Sequence, residues 1–152
     1  MATQTMQGRQ SDPVIQFSVF TPNRLGRLHD LITLLGTHEV HVLALAVLDT
    51  TDSAIIRIVV DDPDRARALL LEQGFPFTES QLLVVEVTSD PELNRLMDAL
   101  LAAEININYL YAFIPSPRGK SMLGLSMEDN EMAESVLRRQ RFTVLRQADI
   151  SR

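Results

Sequence analysis

The 152-residue chain has no cysteine, which removes disulfides, thiolate metal sites and cysteine nucleophiles. Aromatic residues make up only 5% of it, thin material for a stacking platform. Positive charge is also scarce: 14 Lys and Arg face 20 Asp and Glu, a formal charge of −6 with a pI of about 5.0. A phosphate backbone requires the opposite field, so no nucleic-acid partner is expected. No apolar run reaches the roughly 20 residues of a membrane helix, and the opening "MATQTMQGRQSDP" lacks the apolar segment of a signal peptide. These absences point away from a membrane and to the cytoplasm. What is present, 45% apolar and 22% charged residues, suits one packed domain or two very small ones.

Residues 1–13, rich in Thr, Gln, Gly and Ser up to Pro13, read as a disordered N-terminal tail. Alternation begins at Ile15, with Phe17 and Val19 on the same face and Gln16 and Ser18 on the other, the period of a half-buried strand. Leu25, Leu28, Leu31, Ile32 and Leu35 then recur at helical spacing towards an end near Gly36. "VHVLALAVLD" and "SAIIRIVVDD" form a hairpin around "TTD", and Asp62 with Pro63 caps a second helix closed by Gly74. A short strand at "FPFT" completes a βαββαβ unit over residues 14–80.

The same order repeats over residues 81–152. "LLVVEV" opens it, Leu93, Leu96, Met97, Leu100 and Leu101 mark a helix, two strands follow, then a second helix and "FTVLR". A shift of 65 carries Leu28 to Leu93 and Val40 to Ile105; a shift of 67 carries Ile56 to Leu123 and Phe75 to Phe142. The two extra residues fall in the hairpin turn, where "TTD" becomes "PSPRGK", an insertion that a loop tolerates. The fold class is therefore α+β: two tandem ferredoxin-like units, each with both helices on one face of an antiparallel sheet.

Two βαββαβ units, the strand-to-helix crossing "NRLGRL" and the paired segments "EVHVLAL" and "EININYLY" resemble the ACT domain, a small-molecule-binding regulatory module. The resemblance spans Val14 to Ile150 and implies that the units sit side by side, joined through their second strands into one eight-stranded sheet. It implies a ligand, an amino acid above all, where the crossing of one unit meets the second strand of the other. Carried over by position, Asn23, Leu25, Gly26, Arg27 and Leu28 match the first crossing, and Asn106, Ile107 and Asn108 match the facing second strand. Independently of the family, Gly26 leaves the following N–H groups uncovered at a helix start, and Arg24 and Arg27 add positive charge there. The family usually has Pro before the Gly, where this chain has Leu25.

The second crossing, "TSDPEL", puts Pro91 or Glu92 at the position of Gly26, with Asp90 beside it. Proline offers no N–H and the acids repel a carboxylate, so this site is expected to be dead or altered. If it binds anything, His41, at the start of the first unit's second strand, is expected to line it. His29, His38 and His41 form no coherent ligand set, and "DDPD" from Asp61 to Asp64 is explained by helix capping, so no metal or cofactor is expected. Asn106 and Asn108 are read equally well as polar residues of an edge strand, and Tyr109 and Tyr111 as packing residues.

No enzyme is expected. An acylphosphatase-type loop needs more glycine than "TPNRLGRL" has, and RNA-recognition domains place aromatics where this chain reads "IIRIVV" and "MLGLSM". No Ser/His/Asp set or paired carboxylate is arranged for acid–base work. The resemblance implies a homodimeric sensor of a small ligand. The alternatives are a regulatory subunit of a separate amino-acid biosynthetic enzyme and an assembly module without ligand.

Overall fold

The computed structural model describes residues 12–22, 26–115 and 121–151. The chain divides into two compact units, one of Ile15–Ser80 with the residues from Ile150, the other of Gln81–Asp149 with the residues leading to Val14. In order, the elements are β1 (Val14–Pro22), α1 (Arg27–Thr37), β2 (Val42–Asp49), β3 (Ser53–Val60), α2 (Pro63–Glu72) and β4 (Phe77–Glu86). They continue with α3 (Asp90–Ala102), β5 (Ile107–Ala112), β6 (Met122–Met127), α4 (Asn130–Arg139), β7 (Val144–Leu145) and α5 (Gln147–Ile150).

The expected eight strands are seven among the described residues. "FPFT" and "LLVVEV" read as two strands with a break between them, whereas Phe77–Glu86 is one strand of 10 residues. It is the fourth strand of the first unit up to Ser80 and the first strand of the second unit from Gln81. The strand order is β2-β3-β1-β4 in the first unit, and β5-β6-β4 with β7 beside β4 in the second. The second strands join nothing to make a wider sheet: β2 pairs with β3 alone and β5 with β6 alone among the described residues.

In the first unit the helical stripe of α1 and α2 meets one face of the sheet. Leu31, Leu35, Ala66, Leu69 and Leu70 are buried against Phe17, Val19, Ile56, Ile58 and Val60. In the second, Leu96, Leu100, Ala133 and Leu137 are buried against Leu83, Val85, Leu125 and Met127. Each fully buried aliphatic side chain contributes about 1.5–3 kcal/mol. The repeat extends to the misses of the periodic pattern: Leu28 and Leu93, both expected inside, are 37% and 38% exposed. Both stand in the first turn of their helix, beyond the edge of the sheet stripe that Leu31 and Leu96 reach.

Gln16, expected on a solvated face, is buried and its Nε2 donates to Ser80 Oγ at 3.1 Å. That bond satisfies a group whose burial would otherwise cost about 1–3 kcal/mol. Asp62 caps α2 as expected, accepting from Arg65 N at 3.2 Å, with Pro63 in the first helical position. The turn "PSPRGK" and its two extra residues lie, from Ser116 to Lys120, outside the described residues.

Candidate functional site

Of the ten residues singled out as a site, Asn23, Arg24 and Leu25 lie outside the described residues. Gly26 is the N-cap of α1 with φ of 94°, the left-handed region that favours glycine, and no side chain caps the helix there. A Cβ added at Gly26 would meet nothing within 4 Å. Among the described residues, the α1 N-terminus thus presents N–H groups, and the positive end of the helix dipole, without a side-chain cap.

Arg27 follows immediately. Its guanidinium lies over the Phe75 ring at 4.7 Å and reaches Asp30 at 3.8 Å, while its Nε is buried without a hydrogen-bond partner among the described residues. The second unit repeats the stack with the charges exchanged along the helix: Arg95 lies 3.9 Å over Phe142, and its acidic neighbour is Glu92 at 3.9 Å. A shift of 65 places Glu92 at Arg27 and Arg95 at Asp30. One face of the Arg27 guanidinium is therefore engaged in holding helix to loop, a contact of about 0.5–2 kcal/mol.

At the second crossing the helix N-terminus is occupied by its own residues. Ser89 is the N-cap and accepts from Glu92 N, and the Glu92 carboxylate accepts from Thr88 N at 2.8 Å and from the Thr88 hydroxyl at 2.7 Å. This is a variant of the capping box in which the Glu92 carboxylate reaches past the N-cap to Thr88, the residue before it. The Thr88 hydroxyl, then the Thr88 backbone N–H, hold the Glu92 carboxyl below the usual carboxylate range. Helix α3 has 13 residues against 11 in α1. Their last residues, Thr37 and Ala102, correspond by the shift of 65, so α3 gains its two residues at the N-terminus by absorbing the crossing. Asp90 is the first helical residue.

The heads of the two second strands are alike. A β-bulge interrupts β2 between Val42 and Ala44 and β5 between Ile107 and Tyr109, at corresponding positions. Such bulges re-aim side chains next to functional sites. Asn108, exposed, is the bulged residue of β5, and Ile107 is half-buried against the core. His41 Nδ1 is 2.9 Å from Asp61 Oδ2, and His41 N donates to Asp61 Oδ1 at 2.8 Å. Asn106 Nδ2 donates to Glu128 Oε2 at 2.9 Å. Neither carboxylate was singled out from the sequence, where capping accounts for Asp61; the 67-residue shift that relates Asp61 to Glu128 is the signal that could have found this pair of contacts.

A groove of about 890 Å³ opens in the second unit over Leu82, Leu83 and Ile105, and none of the ten singled-out residues lines it. Its walls carry Glu104, Glu131 and Glu134, and its one arginine, Arg146, is held by Glu134 at 2.8 Å. It does not suit an anion. Its lining comes from several separate segments, which no local motif announces. Among the described residues no group of three or more His, Asp or Glu could hold a metal ion, and no helix is long and apolar enough to cross a membrane.

Paired βαββαβ units, each with a strand-to-helix crossing and a bulged second strand, define a tandem small-domain protein. Residues 13–152 match the ACT domain pair, and the chain belongs to that family. The fold is shared with protein BT0572 from Bacteroides thetaiotaomicron, at a TM-score of 0.82 and 23% identity over 91% of this chain and 95% of that one. The regulatory subunit of aspartate kinase from Thermus thermophilus shares it at a TM-score of 0.60 and 16% identity, over 83% and 89% of the two chains. No sequence among the curated proteins matches.

Proposed function

We propose that this protein is a non-catalytic, cytoplasmic sensor that binds a small ligand, an amino acid, at the crossing Asn23 to Leu28. The observation that carries the reading is the contrast between the crossings. Among the described residues Gly26 leaves the N-terminus of α1 without a side-chain cap, whereas Ser89 caps that of α3 and Glu92 places a carboxylate beside it on Thr88. A carboxylate fits the first by hydrogen bonds to N–H groups and by the helix dipole; the second already holds one of its own.

The rest of the pocket comes from the head of a second strand. Because β2 and β5 are edges of their units, the pairing that the family makes there is assigned to a second copy of the chain, in a homodimer. Asn106, Ile107 and Asn108 of one copy would then face the first crossing of the other, and His41 would face the sealed one. The ligand would favour the paired state and so shift assembly or a partner interaction. The likeness in fold to the regulatory subunit of aspartate kinase favours a second form of the reading, in which the sensor serves a separate biosynthetic enzyme. Co-purification of such an enzyme would separate the two forms.

The test is a thermal-shift screen of the twenty amino acids on the wild type and on Gly26→Val. One chemical class is expected to raise the melting temperature of the wild type. The variant should lose the response; valine at φ 94° is strained although its Cβ meets open space, so the variant's own melting curve must stay cooperative for the loss to count. No shift from any of the twenty rejects an amino-acid ligand and leaves the assembly module.

A further inference from the structure

The groove of the second unit is walled by a helix whose charges are exchanged relative to the first unit. A shift of 67 carries Arg67 to Glu134, Glu79 to Arg146 and Asp64 to Glu131. In the first unit the arginine stands on the helix, and Arg67 of α2 holds both Glu79 and Asp64 at 2.9 Å. In the second the acid stands there: Glu134 of α4 holds Arg146 at 2.8 Å and reaches Arg138 at 3.7 Å. The ion pair survives the exchange, but the acid one turn earlier loses its partner.

Glu131 stands three residues before a carboxylate, where Asp64 stands three before an arginine, and like charges at that helical spacing repel. Next to it Met132, 51% exposed, takes the place of Arg65, so a second positive charge gives way to an adaptable apolar side chain. Five carboxylates line the groove. Asp129 caps α4, Glu128 accepts from Asn106 and Glu134 is ion-paired. Glu104 and Glu131 remain, both exposed and both without an ion-pair partner among the described residues. They come from different elements, Glu104 from the turn after α3 and Glu131 from α4. Between such walls and over a floor of Leu82, Leu83 and Ile105, the complementary occupant is cationic at its sides and apolar at its centre.

We propose that this groove docks a basic segment of a partner protein, with an aliphatic side chain over the apolar floor beside Met132 and flanking arginine or lysine on Glu104 and Glu131. At about 890 Å³ the groove lies near the upper end of the roughly 300–1,000 Å³ of small-molecule sites, ample room for a short stretch of peptide. Docking here is independent of the ligand proposed at the first crossing, since none of those residues lines the groove. Residues 1–11 hold Arg9 and no acid and lead towards Pro13 on the groove's edge, so the chain's own N-terminal segment is the rival occupant.

The test is fluorescence anisotropy of a labelled hexapeptide of alternating arginine and leucine, titrated with the full chain. The peptide should bind, less tightly as salt is raised, and its counterpart with glutamate for arginine should not. Glu104→Lys and Glu131→Lys should each weaken binding about fivefold, attraction being turned to repulsion. Glu72→Lys, the same change of charge on an exposed residue of the first unit, should leave it unchanged. All three substitutions alter exposed side chains, and cooperative melting of each variant shows that the fold is kept. The Met132 methyl resonance should shift on binding. No binding, an equal loss in Glu72→Lys or an unmoved Met132 overturns the site. Equal affinity for spermidine, or for a peptide with glycine in place of leucine, reduces the attraction to charge alone and overturns the peptide occupant. A gain in affinity on Arg9→Glu in the full chain makes the N-terminal segment the occupant and overturns the partner.

Discussion

Each of the four long helices is followed, two residues past its last, by a residue in the left-handed region: Glu39 at φ 60°, Gly74 at 71°, Glu104 at 55° and Arg141 at 68°. Only Gly74 takes that conformation without a Cβ penalty. The sequence marks Gly74 as a helix end and places the end of α1 near Gly36, one residue before its last. Glutamate carries no turn signal, so Glu39 and Glu104 are invisible one at a time. A left-handed residue with a Cβ costs about 1–2 kcal/mol, and glycine returns part of that through the entropy of the unfolded chain. Glu39→Gly and Glu104→Gly should therefore each stabilise by up to about 1 kcal/mol, a rise in melting temperature of roughly 2–4 °C. A fall in both would mean that the glutamate side chains hold the helix ends in a way their hydrogen bonds do not show.

Among the elements, α1 and α3 show how one motif diverges without loss of fold. The sequence makes the difference legible, since "NRLGRL" has glycine where "TSDPEL" has Pro91 or Glu92. It does not show that the added residues become helix, because Ser89 as cap and Glu92 as its counterpart are recognisable only once the first turn is placed. Ser89→Ala should cost about 1 kcal/mol at any pH. Glu92 contributes differently. Its folded carboxyl titrates below the ordinary value of 4.5, so its stabilisation is present above that value and is lost as pH falls through the lowered one. Melting curves of wild type and Glu92→Gln between neutral and strongly acidic pH should converge at the acid end. A constant gap would place the effect of Glu92 in packing instead of charge.

For the whole molecule, the seven strands leave β2 and β5 as unit edges, and Val47 and Leu48 on β2 are 48% and 47% exposed. Apolar edges of this kind recruit further strands unless blocked. Sedimentation is expected to give the mass of two chains, and Val47→Lys should lower it towards one while melting remains cooperative. If the dimer and the ligand pocket are one structure, that variant should also lose the thermal response to amino acids. A wild type that sediments as a monomer, with or without ligand, removes the dimer from the proposal.

The sequence by itself determined the two βαββαβ units, their register to within the hairpin insertion, and most of the buried helical stripe. Periodicity and repetition are local records of which face meets a core. Tertiary structure alone decided that Phe77–Glu86 is a single strand. The stretch Glu79 to Gln81 has no apolar alternation and reads as a loop, yet Arg67 Nε holds Glu79 at 2.9 Å and Gln16 holds Ser80. Hydrogen bonds from distant residues satisfy those polar groups in an extended chain, where local preference favours a turn. The orientation of His41 and Asn106 has the same origin. Each is set by a carboxylate about twenty residues away, across two strands and a hairpin that only the folded sheet brings back together.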